Sequence, residues 1–142
     1  MNTRIRSVLL GALIVFALMQ TVQPDRSNPP VTGSLAVNPE VGVILRRSCF
    51  DCHSNETRWP VYSYVAPASW LIAGHVKEGR QALNFSEWEE YDERERMNLF
   101  FSIAQVVRDA EMPLRSYILL HGDAVLSEAD AALLIEWAEI GE

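Results

Sequence analysis

Cys49, Cys52 and His53, in the run RRSCFDCHSNETRWP, constrain this chain more than any other feature. They include the only two cysteines of 142 residues, two positions apart with a histidine directly after, so the fold must serve all three at one place. The residues before them carry helix-start signals. Asn38 is a cap, Pro39 suits the first turn and Glu40 follows as the favoured acid, launching EVGVILRRSCFDCHS. The motif therefore closes a short helix rather than opening one.

Upstream, Arg4 and Arg6 precede twelve uninterrupted apolar or glycine residues, 8–19. Such a pattern marks export, as a signal peptide or an N-terminal membrane anchor over residues 1–22, with the arginines on the cytoplasmic side. No small-x-small cleavage site follows at the usual distance, which favours the anchor. QPDRSNPPVTGSLAVN then reads as a flexible tether, 23–38, stiffened at Pro29-Pro30. Residues 39–142 form one domain, and 49% hydrophobic content with four Trp argues against disorder. All 19 acidic residues lie after position 24, where only 10 of the 12 basic residues are found. That balance excludes nucleic acid as a partner and suits a redox protein with a basic docking face. The expected location is the periplasmic side of the bacterial inner membrane, anchored or exported, with the membrane reached through the N-terminal segment.

Every later signal is helical. Pro67 opens a helix through PASWLIAGHVKEGRQAL; Ser86-x-x-Glu89 has capping-box spacing ahead of a helix carrying Leu99, Phe100, Ile103, Val106 and Val107 on one face. Pro113 interrupts the pattern, EMPLRSYILLHGDAV reads as loop and turn, and Ser127 with Asp130 caps a last helix that turns Leu133, Leu134 and Trp137 inward. No alternating run of strand length occurs. The fold class is all-α: four or five short helices behind an N-terminal hydrophobic helix.

Three chemistries compete for the cysteines. A thioredoxin-like pair opens a helix after a strand, where the helix N-terminus lowers the thiol pKa; this pair closes a helix in a chain without strands. A structural zinc needs four ligands, and only His75 and His121 stand elsewhere to complete the set. The third reading fits best: Cys49 and Cys52 as thioether attachments of one covalent haem c, with His53 as proximal iron ligand. It also suits an oxidising compartment, where spare cysteine pairs otherwise become disulfides. For the distal position Met112, in a loop stiffened by Pro113, is the leading candidate. His121 is the alternative, His75 a further rival, and Met97 is assigned to the core. Trp59, Tyr62 and Tyr64 are candidates for the haem environment, and Arg58 for a propionate.

Beyond the bare motif, CFDCHSNETRWPVYSYVAPASWL, then EGRQALNFSEW and MPLRSYILLHGDAVLSEADAALLIEW, resemble the bacterial haem-binding domain proteins over about residues 25–138. These are small exported proteins with one Cys-x-x-Cys-His. The resemblance implies a fold like class I cytochromes c around one covalent haem, and Met112 matches the family's methionine. Leu114 stands where members usually carry a second proline. The expected function is single-electron transfer between periplasmic redox partners by a membrane-tethered monohaem cytochrome rather than catalysis. The alternatives are a haem-based sensor or small peroxidase-like enzyme with a displaceable distal ligand, and a haem-binding subunit of a larger membrane complex.

Overall fold

A computed structural model describes residues 2 to 141. Seven α-helices are present among them: α1 Thr3–Met19, α2 Pro39–Ser48, α3 Phe50–His53, α4 Ala68–Ala82, α5 Glu93–Arg108, α6 Arg115–Ile118 and α7 Glu128–Ile140. Two of these, α3 and α6, are single turns. No strand occurs among the described residues beyond one isolated parallel bridge between Gly33 and Glu87. The all-α expectation thus holds.

Local sequence explains most boundaries. Asn38 Oδ1 accepts from the Val41 amide at 2.9 Å and Pro39 fills the first helical position, so α2 starts where its cap signals stand. Ser127 and Asp130 form a reciprocal capping box on α7, and Gly141 ends that helix at φ 76°, a left-handed conformation that glycine adopts without strain. The box expected at Ser86 and Glu89 is not formed. The helix begins later, at Asp92, whose side chain accepts from the Glu95 amide at 2.8 Å while Glu95 reaches back to the Asp92 amide. Ser86 is otherwise engaged: it is buried, its hydroxyl accepts from the Asn55 amide at 2.9 Å, and its carbonyl accepts from Thr32 and Gly33.

The core lies between α2, α5 and α7. Val41, Ile44 and Leu45 meet Phe100, Ile103, Ala104 and Val107 of α5, and Leu134, Trp137 and Ala138 of α7. Each buried large side chain contributes ~1.5–3 kcal/mol. A chain of rings crosses this core, Phe50 on Phe85 at 5.2 Å, Phe85 near Trp88, Trp88 edge-on to Phe100 at 5.1 Å and Phe100 to Trp137 at 5.2 Å. Met97, expected in the core, is 62% exposed on the outer face of α5.

Residues 23–38 differ most from expectation. They are extended, but they are not a free tether. The Thr32 and Gly33 amides bond to the Ser86 carbonyl, Leu35 to Phe85, and Trp88 back to Gly33. Gly33 passes so near that a Cβ there would sit 2.6 Å from Glu89 Cβ, which is why the strap needs glycine at that point. Ahead of the strap, α1 buries none of its residues, and no helix among the described residues is long and apolar enough to cross a membrane.

Candidate functional site

The motif sits at a break between two helical pieces. Cys49 ends α2 at φ −126°, ψ −38°, and its carbonyl accepts from the amides of Cys52 and His53, which tightens residues 50–53 into one turn. That turn packs on α4, where Gly79 allows the contact: a Cβ at 79 would lie 2.6 Å from the Cys52 carbonyl oxygen. On the open side lies a cavity of about 510 Å3, within the ~300–1,000 Å3 usual for small-molecule sites. Cys49, Cys52, His53 and Met112 all line it, although Met112 is far away in sequence. One face of α4, with Leu71, Ile72, Val76 and Ala82, makes its wall apolar.

The donor atoms are arranged for ligation rather than for thiol redox chemistry. Both cysteines are free. Burial pushes the Cys49 thiol up to about 12, helped by neighbouring Cys52, and burial with Asp51 pushes Cys52 up to about 11. This is the reverse of the low pKa that an exchanging thiolate requires. Burial also lowers the His53 pKa, so its imidazole is neutral. Its Nδ1 lies 3.2 Å from the Leu83 carbonyl, which can only accept; the proton is therefore on Nδ1, and the lone pair on Nε2 is left for a metal. Among the described residues, no three His, Cys, Asp or Glu side chains group to hold a bare metal ion.

The rival histidines differ from one another. His121 Nδ1 donates to the Tyr117 carbonyl at 3.0 Å, so Nε2 accepts from the Tyr62 hydroxyl at 3.1 Å, and the ring stacks on Tyr117 at 4.1 Å. Both its nitrogens are thus occupied. His75 also lines the cavity, from the face of α4. Arg58 lines the cavity too, but its guanidinium and amide are spent on Asp51, with Nε at 3.2 Å from Oδ1 and Nη2 at 3.3 Å from Oδ2. Tyr62 lines the cavity; Trp59 and Tyr64 do not. Tyr64 is 52% exposed beneath the Arg26 guanidinium, and Trp59 has a buried Nε1 with no partner.

Sequence reasoning missed Asp51 and Tyr117. Asp51, only 9% exposed between the two cysteines, accepts from Arg58 and from the Tyr117 hydroxyl at 2.7 Å. That bond joins the motif to the segment after Met112, and burial together with Asp51 raises the Tyr117 pKa strongly. The available signal was the i, i+4 spacing of Tyr117 and His121, which marks one face of a helical turn.

These features define an all-helical domain with two thiols, an imidazole and a thioether on one apolar cavity. A family model described as the haem-binding domain matches residues 12–140, and the chain belongs to that family. Comparison with curated proteins and with solved structures gives no match.

Proposed function

We propose that the chain is an exported, membrane-attached monohaem c-type cytochrome that carries single electrons between redox partners. The observation that carries this reading is the convergence of Cys49, Cys52, His53 and Met112 on one apolar cavity. The donor set fits a c-type haem: Cys49 and Cys52, separated by two residues, would hold the porphyrin through thioether links, and Nε2 of His53 and the Met112 thioether would bind its iron. Bound there, haem supplies a one-electron ferric/ferrous couple.

The protein's own groups set the terms of that couple. Leu83 fixes the tautomer and orientation of His53. Apolar side chains of α4 keep water from the cavity wall, and the Asp51–Tyr117 bond steadies the segment carrying Met112. A carrier is favoured over a peroxidase-like enzyme because two side chains suited to distal acid–base work are engaged: His121 is held by Tyr62 and Tyr117, and Arg58 by Asp51. Neither is free to act on a bound oxidant. Exposed acids at Glu89, Glu90, Glu93 and Glu95 suit a partner with a basic docking face.

The test is maturation in a host with the c-type attachment machinery, followed by denaturing extraction with acidified organic solvent. Haem should stay with the wild-type chain and leave the Cys49→Ala, Cys52→Ala double variant. Haem that extracts freely from the wild type refutes covalent attachment. Met112→Ala should abolish the ferric sulfur-to-iron absorption band, and an unchanged spectrum refutes Met112 as ligand.

A further inference from the structure

We propose that the apolar rim made by Val61, Val65 and Leu119 rests on a phospholipid bilayer surface, held there by a fixed joint between α1 and the domain. The inference builds on the membrane-attached reading above, and adds how the domain is oriented.

The joint has three parts. The Gln20 side chain pairs with the backbone of Ala66, donating to its carbonyl at 3.2 Å and accepting from its amide at 2.9 Å. The Trp70 indole donates to the Val22 carbonyl at 2.7 Å. Arg26 lies 4.3 Å over the Tyr64 ring and reaches the Ser63 carbonyl. The C-terminal end of α1 is therefore attached to residues 63–70. Beside it Val65 is 44% and Val61 85% exposed. The Tyr62–His121 bond brings in the next segment, with Leu119 82% exposed. Isolated apolar side chains on a surface are ordinary, but these lie on two segments joined by the Tyr62–His121 bond, at the foot of an exposed hydrophobic helix.

That helix is the reason to name a bilayer as the occupant. Residues 8–19 are all exposed or half-exposed and apolar, yet twelve residues rise only ~18 Å, against ~30 Å of hydrocarbon. A short apolar segment in a thick bilayer draws its flanking groups toward the hydrocarbon boundary. Here the flank is the joint, so the rim is drawn in with it. Trp70, Tyr64 and Arg26 around the joint are side chains that favour the headgroup level.

The experiment uses the full haem-loaded chain with phosphatidylcholine vesicles and a photo-crosslinking phenylalanine analogue placed at Leu119, at Val61 or, as a control, at Phe101 of α5. Phe101 is 69% exposed and as apolar as the rim. The chain should float with the vesicles, and lipid adducts at Leu119 and Val61 should exceed those at Phe101 at least fivefold. In the Gln20→Ala, Trp70→Phe variant the chain should still float while the adducts at Leu119 fall toward the Phe101 level. Failure to float overturns the membrane-attached reading and this proposal with it. Flotation with equal adducts at all three positions overturns the proposal alone, and so does a Leu119 yield that survives loss of the joint.

Discussion

The two halves of residues 49–60 make opposite use of their polar atoms. The first half, Cys49 to His53, faces the cavity with its chemistry unspent: two free thiols and an unprotonated Nε2. In the second half, Ser54, Asn55 and Thr57 are buried with their polar groups engaged, Thr57 at the cavity's edge, while Glu56 is exposed. Asn55, 3% exposed, donates to Pro30 and Glu87, accepts from Asn84, and gives its amide to Ser86. Arg80 adds bonds to the Ser54 carbonyl, the Thr57 hydroxyl, the Ser27 carbonyl and Asn28. Family likeness is written across both halves, but the second does its work by fastening the N-terminal strap. Ligation and architecture thus occupy adjacent stretches of one short segment.

Variants on the two halves should separate stability from spectrum. The largest loss is expected for Asn55→Ala, which strands partners on two segments, Pro30 of the strap and Asn84 and Glu87: about 3–4 kcal/mol by chemical denaturation, with the haem absorption spectrum of the folded protein unchanged. Arg80→Ala should cost about 2–3 kcal/mol, and Arg80→Lys should recover less than half, because one ammonium cannot span that fork of acceptors. A changed spectrum in either variant would break the division. Gly79→Ala tests the boundary, since the new methyl meets the Cys52 carbonyl. It should cost about 1–3 kcal/mol and also shift the spectrum, because α4 and the ligand turn must part.

The smallest effect belongs to a site remote from both halves. Ser127→Ala removes the cap of α7 and should cost about 1 kcal/mol. Hydrogen bonds from the Ser127 hydroxyl and amide, with help from Arg47, hold the Asp130 carboxyl below its ordinary 3.8. Because the folded pKa is the lower one, this contribution is complete above 3.8 and fades as pH falls through the depressed value. The gap between wild type and variant should therefore narrow, without closing, as pH falls below 3.8, because the bond from the Asp130 amide to the Ser127 hydroxyl does not titrate; a gap that does not narrow at all would assign the whole loss to that cap.

Much of this was legible in the sequence for local reasons. Caps, prolines and the apolar face of α5 act over four to seven residues, so Asn38, Pro39, Ser127 and Asp130 could be read directly. The cavity lining was also readable where residue chemistry is rare, as for Cys49, Cys52, His53 and Met112. Pairings across the chain were not. Ser86 has the spacing of a cap but is claimed by Asn55 and the strap, which sequence spacing does not reveal. The strap reads as flexible because its composition is polar and proline-rich, yet its backbone bonds go to residues fifty positions away. Arg58 looked available for an anionic ligand because its partner, Asp51, lies between the two cysteines.

Residues 83–86 carry one consequence into mechanics. Leu83 holds the His53 ring, the Phe85 amide bonds to the His53 carbonyl, and the carbonyls of Phe85 and Ser86 hold Leu35, Gly33 and Thr32 of the strap. Tension applied to the strap thus reaches the His53 imidazole through four residues of backbone. A pull on the strap is also a torque on that ring.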